Sequence, residues 1–179
     1  MKVERLFSSV YFSADSVKTE FRETVIRTPS GTEVARESFS VPPMFSQLAG
    51  DIAATKYARK NVPSLMAGRE TSFAELVSRI VTKITDYGRL WGYFSDDESV
   101  TNFHSELSYL LMNQHGAFNS PVWFNCGLDL YGISGTGGSW RWSESENSSI
   151  QVKDAYTYPQ SSACFILSRE DTLEDIFNG

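Results

Sequence analysis

The fold of this chain is decided by one stretch, SFAELVSRIVTKI, which occupies residues 72–84. Its apolar residues recur with the spacing of the buried face of an amphipathic helix. Ser72 and Glu75 stand at its start with the spacing of a capping box. The sequence therefore predicts a helix that opens at Ser72 and buries one continuous apolar stripe. The stripe comprises Phe73, Leu76, Val77, Ile80, Val81 and Ile84.

A further helix is predicted on either side of this one. The earlier helix ends in three basic residues, which suit the negative end of a helix dipole. The later helix opens at Ser95, with Glu98 in the same capping arrangement, and Gly116 is expected to stop it. The apolar face of the earlier helix comprises Phe45, Leu48, Ile52, Ala53 and Tyr57. We expect the later helix to bury Val100, Phe103, Leu107, Leu110 and Leu111.

A β-hairpin is predicted before the helices. Residues 21–28 and 33–41 are rich in Val, Thr, Phe and Ile, and Pro-Ser-Gly-Thr separates them at residues 29–32. Gly31 can supply the positive φ that such a turn needs. Pro42 and Pro43 end the second strand, because proline cannot donate a hydrogen bond to a β-ladder.

The character of the sequence changes after the helices. Residues 118–127 show no helical period, and residues 129–160 form a long connection rich in Gly, Ser, Trp and Tyr. Residues 163–167 form a short apolar run that predicts a buried strand. An acidic-first helix is expected from Asp171, and it would reach Gly179 after only one or two turns. We therefore expect the chain to be a truncated piece of a longer protein.

Composition excludes several classes of protein. A net charge of -6 argues against a protein that grips a nucleic-acid polymer, because that task needs a clustered basic surface. Binding of a single nucleotide stays open. Residues 1–10 do not resemble a signal peptide, and no apolar stretch is long enough to span a bilayer. The two cysteines describe neither a disulfide scaffold nor a zinc site. The expected location is the cytoplasm, without membrane contact.

Without reference to any family, few residues are candidates for catalysis or ligand binding. Cys164 starts the apolar run, where a cysteine is more commonly a small core residue than a reactive one. A structural role is indicated more strongly for Cys126. His115 suits a capping role at the end of the third helix. A Cys164–His104 nucleophile pair is conceivable but lacks local support. The glycines at residues 135–138 are a weak phosphate-loop signal, and no metal-ligand spacing is present.

An ordered set of motifs resembles the class II, adenosylcobalamin-dependent ribonucleotide reductases. NSPVWFN at residues 119–125, followed by PQSSACFI at residues 159–166, is similar to the paired signature that opens the catalytic barrel of these enzymes. Further stretches upstream and between the two motifs resemble the same family. They are FSQLA (45–49), KYARK (56–60), ETSF (70–73), YGI (131–133) and WRW (140–142).

The resemblance implies roles for three residues. Ser120 would hold the nucleotide substrate through its hydroxyl, which can donate to and accept from a phosphate or ribose oxygen. Ala163 and Cys164 would border the substrate at the first barrel strand. Cys164 would also be one member of a redox pair whose partner lies outside this chain. Cys126, His104 and His115 inherit no role from the family.

The resemblance also implies a reaction, a cofactor and an architecture. A thiyl radical, generated with adenosylcobalamin, would take the ribose 3′ hydrogen, and the cysteine pair would supply two electrons as the 2′ hydroxyl leaves. The expected reductant is a thioredoxin-like protein or a dithiol. We expect an α+β chain, with an N-terminal hairpin and helical domain at residues 1–117 and the start of an incomplete α/β barrel at residues 118–179. No residue is assigned to cobalamin, and this chain alone is expected to be inactive.

Two alternatives from other classes stay open. The chain could be a non-catalytic assembly module or split subunit that completes a barrel with a partner chain, in which case its apolar helix faces would be partly exposed. It could also be a small thiol-dependent enzyme built on Cys164 and His104, although nothing in the sequence supplies an activating environment for that thiol.

Overall fold

A computed structural model describes residues 1–133, 140–151 and 172–173 of the chain. The described part combines helices with two small antiparallel sheets, as expected of an α+β chain. Four sequence predictions lie outside the described residues. They concern the glycine cluster at 135–138, the apolar run at 163–167 with Ala163 and Cys164, the helix expected from Asp171, and the barrel that would follow.

The N-terminal hairpin is confirmed. Strands β1 (Glu20–Arg27) and β2 (Glu33–Val41) pair antiparallel, with Glu20 opposite Val41 and Ile26 opposite Ala35. Gly31 has a φ of 87° in the connecting turn, which is the left-handed conformation that favours glycine. Phe39 and Val41 are buried and direct this end of the hairpin into the core.

The first helix forms, but its predicted apolar face is partly wrong. Helix α1 spans Gln47–Ile52, and a π-helical segment, Ala53–Tyr57, continues it. Phe45 and Ala53 are buried, whereas Leu48 is 67% exposed. The helix turns its smallest residue toward the hairpin, since a Cβ at Gly50 would lie 3.7 Å from the Val41 side chain. Close packing at Gly50 therefore leaves Leu48 in solvent.

The central helix is confirmed in detail. Helix α2 spans Phe73–Leu90, and Ser72 and Glu75 form both hydrogen bonds of the capping box. Leu76, Val77 and Ile80 have no exposed surface. Together with α3 and the segment that follows it, α2 supplies most of the larger of two apolar clusters. Helix α2 contacts the second strand of the hairpin, the third helix and the segment that follows that helix.

The third helix differs from the prediction in its first residue, its last residue and the set of residues that it buries. Helix α3 spans Asp97–Met112, and its N-cap is Asp96, whose carboxylate accepts from the Ser99 amide at 2.7 Å. The Ser95 hydroxyl instead lies 2.9 Å from Asp96 Oδ2 and 3.1 Å from the Met1 carbonyl oxygen, and it can donate to either. The helix ends before Gly116, because Gln114 adopts a left-handed φ of 58° and the His115 amide donates to the Leu110 carbonyl.

The buried face of α3 is mostly polar. It comprises Ser99, Asn102, Ser105, Ser108, Leu111 and Met112, whereas Val100, Phe103, Leu107 and Leu110 are only partly buried. The cause is the N-terminal segment, residues 3–12, which lies along this face. The Val3 amide donates to Ser99 Oγ, the Phe12 amide donates to Ser105 Oγ, and Asn102 donates to the Val3 carbonyl. Small polar side chains therefore satisfy an irregular backbone that would otherwise lack partners.

The segment after α3 contains a helix where none was expected. Helix α4 spans Ser120–Asn125, and it starts with Asn119 as its N-cap and Pro121 in its first turn. Proline is well tolerated there because the amide that it lacks has no partner within the helix. A 3-10 turn (Leu128–Tyr131) follows, and β3 (Trp140–Ser143) pairs with β4 (Ser148–Gln151) as a second hairpin. Part of the long predicted connection thus has structure of its own.

Within the described residues, no helix combines the length and the apolar composition needed to cross a bilayer.

Candidate functional site

The predicted substrate-binding serine lies at the start of α4. Ser120 is partly buried, and its Oγ lies 3.2 Å from the phenolic oxygen of Tyr57. The Asn119 side chain accepts from the Val122 amide and fixes the first turn of the helix. The Ser120 hydroxyl therefore has a defined position on a short, capped element.

Aromatic side chains hold α4 in place. The Tyr57 ring stacks on Phe124, with ring centroids 5.2 Å apart and planes 21° from parallel. Trp123 is buried between Phe73 and Phe118, and its indole N–H donates to the Phe118 carbonyl at 2.8 Å. These rings fill the space between α4, the π-helical segment and the start of α2.

A buried ion pair ties the end of α4 to α2. Arg79 Nε lies 2.7 Å from Glu70 Oε1, and both side chains are fully buried. The same guanidinium donates to the Trp123 carbonyl at 3.0 Å and to the Cys126 carbonyl. Arg79 thus satisfies the carbonyl groups at the end of α4, which the helix itself leaves without partners.

Glu70 accepts two further hydrogen bonds beside this ion pair. Its Oε2 accepts from the Arg59 amide at 2.6 Å, and its Oε1 accepts from the Tyr131 hydroxyl at 2.9 Å. Burial, followed by the neighbouring Glu70 carboxylate, raises the pKa of Tyr131 well above its usual value. The Tyr131 hydroxyl is therefore a hydrogen-bond donor throughout the physiological pH range.

A second ion pair supports the turn that follows α4. Lys83 Nζ lies 2.5 Å from Asp129 Oδ2 and sits over the Tyr87 ring, 4.4 Å from its centroid. Burial alone would lower the pKa of Lys83, but the hydrogen bond and charge of Asp129 outweigh it and leave that pKa raised. Lys83 therefore stays charged and holds the 3-10 turn against α2.

A glycine permits the close approach between this segment and α2. Gly127 has a φ of 79°, and a Cβ at this position would lie 2.7 Å from the backbone oxygen of Arg79. Any larger residue would push the segment away from α2. The need for glycine at position 127 is therefore steric.

Cys126 has the surroundings of a structural cysteine. It is 5% exposed and packs in the larger apolar cluster. Burial raises the pKa of the Cys126 thiol, which disfavours the reactive thiolate. Its buried position fits the structural role expected from the sequence.

Neither histidine joins the Ser120 site. The His115 ring stacks on Tyr109, and its backbone amide donates to the Leu110 carbonyl, one of the last carbonyls of α3, as the predicted capping role expects. His104 stacks on Tyr11, and burial lowers the pKa of its imidazole. The structure brings Ser120 together with Tyr57, whereas the predicted site residues Ala163 and Cys164 lie outside the described residues.

Sequence reasoning missed Tyr57, Glu70 and Arg79 as parts of this site. Arg79 lies outside the apolar stripe of α2 on the helical wheel, where a charged residue usually faces solvent, so its burial could not be read from the sequence. Nothing local pointed to Glu70 as the partner, or to Tyr57 as the neighbour of Ser120.

The described residues do not fit the cobalamin that the resemblance implies. An apolar groove of about 520 Å³ lies beside Trp123, but its walls are mainly aliphatic and aromatic, whereas a corrin carries many polar amides. We therefore place no cobalamin contact on these residues.

Comparison with known proteins identifies the family. A family model described as class II vitamin B12-dependent ribonucleotide reductase matches residues 20–114, which is more than half of the chain. The chain is 40% identical over 159 residues to a vitamin B12-dependent ribonucleotide reductase of Rhodopirellula baltica, a match that covers 88% of the chain and 15% of the relative. A protein of the same name from Agrobacterium fabrum is 34% identical over 209 residues, which covers 97% of the chain and 16% of the relative.

A third relative shows the same proportions at lower identity. The vitamin B12-dependent ribonucleotide reductase of Streptomyces coelicolor is 31% identical over 182 residues, covering 99% of the chain and 16% of the relative. The chain thus spans about one sixth of the length of these relatives. The chain belongs to the class II vitamin B12-dependent ribonucleotide reductase family.

Proposed function

We propose that this chain is the N-terminal region of an adenosylcobalamin-dependent reductase that converts ribonucleoside diphosphates to deoxyribonucleotides for DNA synthesis. One structural observation supports the proposal beyond family membership. The hydroxyl of Ser120 is held at a defined point by α4, which is clamped onto α2 by Arg79. A site that binds substrate through one hydroxyl needs this kind of rigid support.

In the proposed reaction, Ser120 donates to an oxygen of the nucleotide, and Ala163 and Cys164 border the ribose. The two thiols of Cys164 and a cysteine outside this chain are oxidised to a disulfide. They deliver two electrons and two protons, the 2′ hydroxyl leaves as water, and a hydrogen takes its place. The 3′ hydrogen is removed by a thiyl radical and later returned, so the overall change is one ribonucleotide plus one dithiol to one deoxyribonucleotide, one disulfide and water.

Adenosylcobalamin supplies the radical in this proposal, and its contacts are assigned to no described residue. The disulfide is reduced again by a thioredoxin-like protein or a dithiol, because thiol exchange reverses it readily. The proposal also includes the remainder of the reductase as a binding partner and the cytoplasm as the location. The start of an α/β barrel at residues 118–179 belongs to the same proposal.

The test is the substitution Ser120→Ala in the complete reductase that contains this chain. We expect KM for the ribonucleotide to rise about tenfold or more, since a hydrogen bond to a charged oxygen is lost. Ser30→Ala, in the exposed turn of the first hairpin, is the matched control and should leave KM unchanged. An unchanged KM for Ser120→Ala would reject the substrate role of Ser120.

One observation favours a second candidate, an assembly module that docks onto a partner chain. The apolar groove beside Trp123 is open, and Ile52, which lines it, is 42% exposed. Leu48, on the same helix as Ile52, is 67% exposed. Exposed apolar surface of this kind commonly marks an interface. Sedimentation of the purified chain distinguishes the candidates: a monodisperse monomer that shows no tendency to associate would count against the assembly module.

A further inference from the structure

Tyr57 occupies an unusual backbone position. It is the last residue of the π-helical segment Ala53–Tyr57, and the Ala58 amide closes that segment by donating to the Ala53 carbonyl at 2.8 Å. A π-helical turn is rare, and it rotates the residues that follow it relative to a regular helix. Ala53 and Ala54, the first two residues of the turn, are small and buried.

The ring of Tyr57 is fixed by its neighbours. Phe124 stacks on it at 5.2 Å, and Trp123 lies against it with a centroid distance of 6.3 Å. Both neighbours belong to α4, the same helix that carries Ser120. The phenolic oxygen and the serine hydroxyl are therefore held close together, although the two residues are 63 positions apart in the sequence.

The contact between the two hydroxyls has a chemical consequence. A hydroxyl has one proton to donate and two lone pairs that accept, and a phenol is the more acidic partner of a serine. When Tyr57 donates to Ser120 Oγ, the serine proton is left to point elsewhere. Among the described residues, Ser120 Oγ has no second hydrogen-bond partner, so that proton is available to a ligand.

We infer that Tyr57 is a positioning residue, which orients the Ser120 hydroxyl so that its proton is directed toward an oxygen of the bound nucleotide. The inference rests on the proposed role of Ser120 and adds a second residue to it. Without the phenol, a serine near the start of a helix can turn its hydroxyl toward nearby backbone groups, and that competes with ligand binding.

The experiment measures steady-state kinetics of the complete reductase carrying Tyr57→Phe. This change keeps the ring and its stacking and removes only the hydroxyl. We expect KM for the ribonucleotide to rise about three- to tenfold with kcat within about twofold, because a binding interaction present in both ground and transition states is weakened. The matched control is Tyr93→Phe, which removes the hydroxyl of an exposed tyrosine and should change neither constant.

A double-mutant cycle separates this inference from the proposed function. If Tyr57 acts through Ser120, Tyr57→Phe should have no further effect on KM in a Ser120→Ala background. A normal KM for Ser120→Ala would reject the proposed function itself. A raised KM for Ser120→Ala with a normal KM for Tyr57→Phe, or additive effects of the two changes, would overturn the inference alone. Loss of folding in Tyr57→Phe would also overturn it, since the hydroxyl would then have a structural role.

Discussion

At the scale of single residues, Arg79 joins three separate segments of the described chain. It contacts Glu70 before α2, the carbonyl of Trp123 in α4, and the carbonyl of Cys126 just after it. Taking both charges out of water is costly, and the pair is favourable only because nearly every polar atom finds a partner. Removal of one member should therefore cost much more than loss of a surface pair.

We predict that Arg79→Met lowers the free energy of unfolding by about 3–5 kcal/mol, because it leaves the Glu70 carboxylate buried without a counter-charge. The matched control is Arg89→Met, which breaks the exposed pair with Asp97 and should cost less than about 1 kcal/mol. Urea unfolding followed by tryptophan fluorescence measures both. In the double variant Glu70→Gln/Arg79→Met the buried charge is gone, and part of the loss should be recovered. Equal costs for the two arginine variants would contradict the account.

Gly127 gives a second prediction at this scale. Gly127→Ala should destabilise the chain more than Gly132→Ala, although both glycines have left-handed φ values, 79° and 71°. Gly132 has no neighbour within 4 Å of an added Cβ, so its substitution costs only the backbone term of about 1–2 kcal/mol. Gly127 would add a clash with the Arg79 backbone, worth about 1–3 kcal/mol more. Thermal melts of the two variants compare the costs directly, and equal melting temperatures would show that the close contact is not limiting.

The sequence could predict some of these residues and not others. The glycine in the hairpin turn and the Ser72–Glu75 capping box depend on neighbours within a few positions, and both were predicted correctly. The contacts of Tyr57 with Ser120, and of Glu70 with Arg79 and Tyr131, join residues whose spacing follows no local period. Such pairs depend on how the elements pack, so neither propensity nor periodicity could reveal them.

Among the elements, α3 shows how an irregular segment packed along a helix can make the buried face of that helix polar. Glu106 on α3 accepts hydrogen bonds from the amides of Leu6, Phe7 and Ser8 and from the Ser8 hydroxyl, at 2.5 to 3.0 Å. Burial by itself would raise the pKa of Glu106, but these hydrogen bonds outweigh it and lower that pKa to about 2. The ionised carboxylate therefore holds the N-terminal segment against α3.

This arrangement predicts a pH dependence. The folded pKa of Glu106 lies below its ordinary value of 4.5, so its stabilising contribution is present above about pH 4.5 and is lost as the pH falls toward 2. Glu106→Gln should remove that part of the pH dependence, and Glu98→Gln, an exposed glutamate on the same helix, should not. The measurement is the free energy of unfolding from pH 2 to pH 6. Parallel curves for the parent chain and Glu106→Gln would contradict the assignment.

The errors made for α3 have a physical origin. Ser95 with Glu98 and Asp96 with Ser99 are overlapping cap patterns, and local sequence alone does not choose between them. In the structure the N-terminus contacts Ser95, whose backbone amide donates to the Met1 carbonyl at 3.0 Å. The polar buried face has the same cause, since residues 3–12 pack there and need hydrogen-bond partners more than apolar contact.

In the whole molecule, the order of motifs along the chain carried more information than any one motif. The stretches from residue 45 to residue 73 were assigned to the class II family, and the family model covers them within residues 20–114. The α+β composition of the described part also agrees with expectation. The helix at Ser120–Asn125 was missed because six residues are too few to display a helical period.

Because the chain spans about 15% of the Rhodopirellula baltica relative, we predict that it has no reductase activity by itself. The purified chain should form no deoxyribonucleotide from a ribonucleotide, adenosylcobalamin and a dithiol. The Rhodopirellula baltica protein, assayed in parallel, verifies the reagents. Product formed by the chain alone at a rate above the enzyme-free background would refute this prediction.

The most direct test of the central claim is to map the thiols of the complete reductase after a single turnover without external reductant. The free thiols are alkylated, and the peptides are then identified by mass spectrometry. The account predicts that Cys164 passes from a free thiol to a disulfide with a cysteine outside residues 1–179, while Cys126 stays reduced. A Cys164 that remains free after product has formed, or that pairs with Cys126, would contradict the claim that this chain supplies a redox cysteine to the reaction.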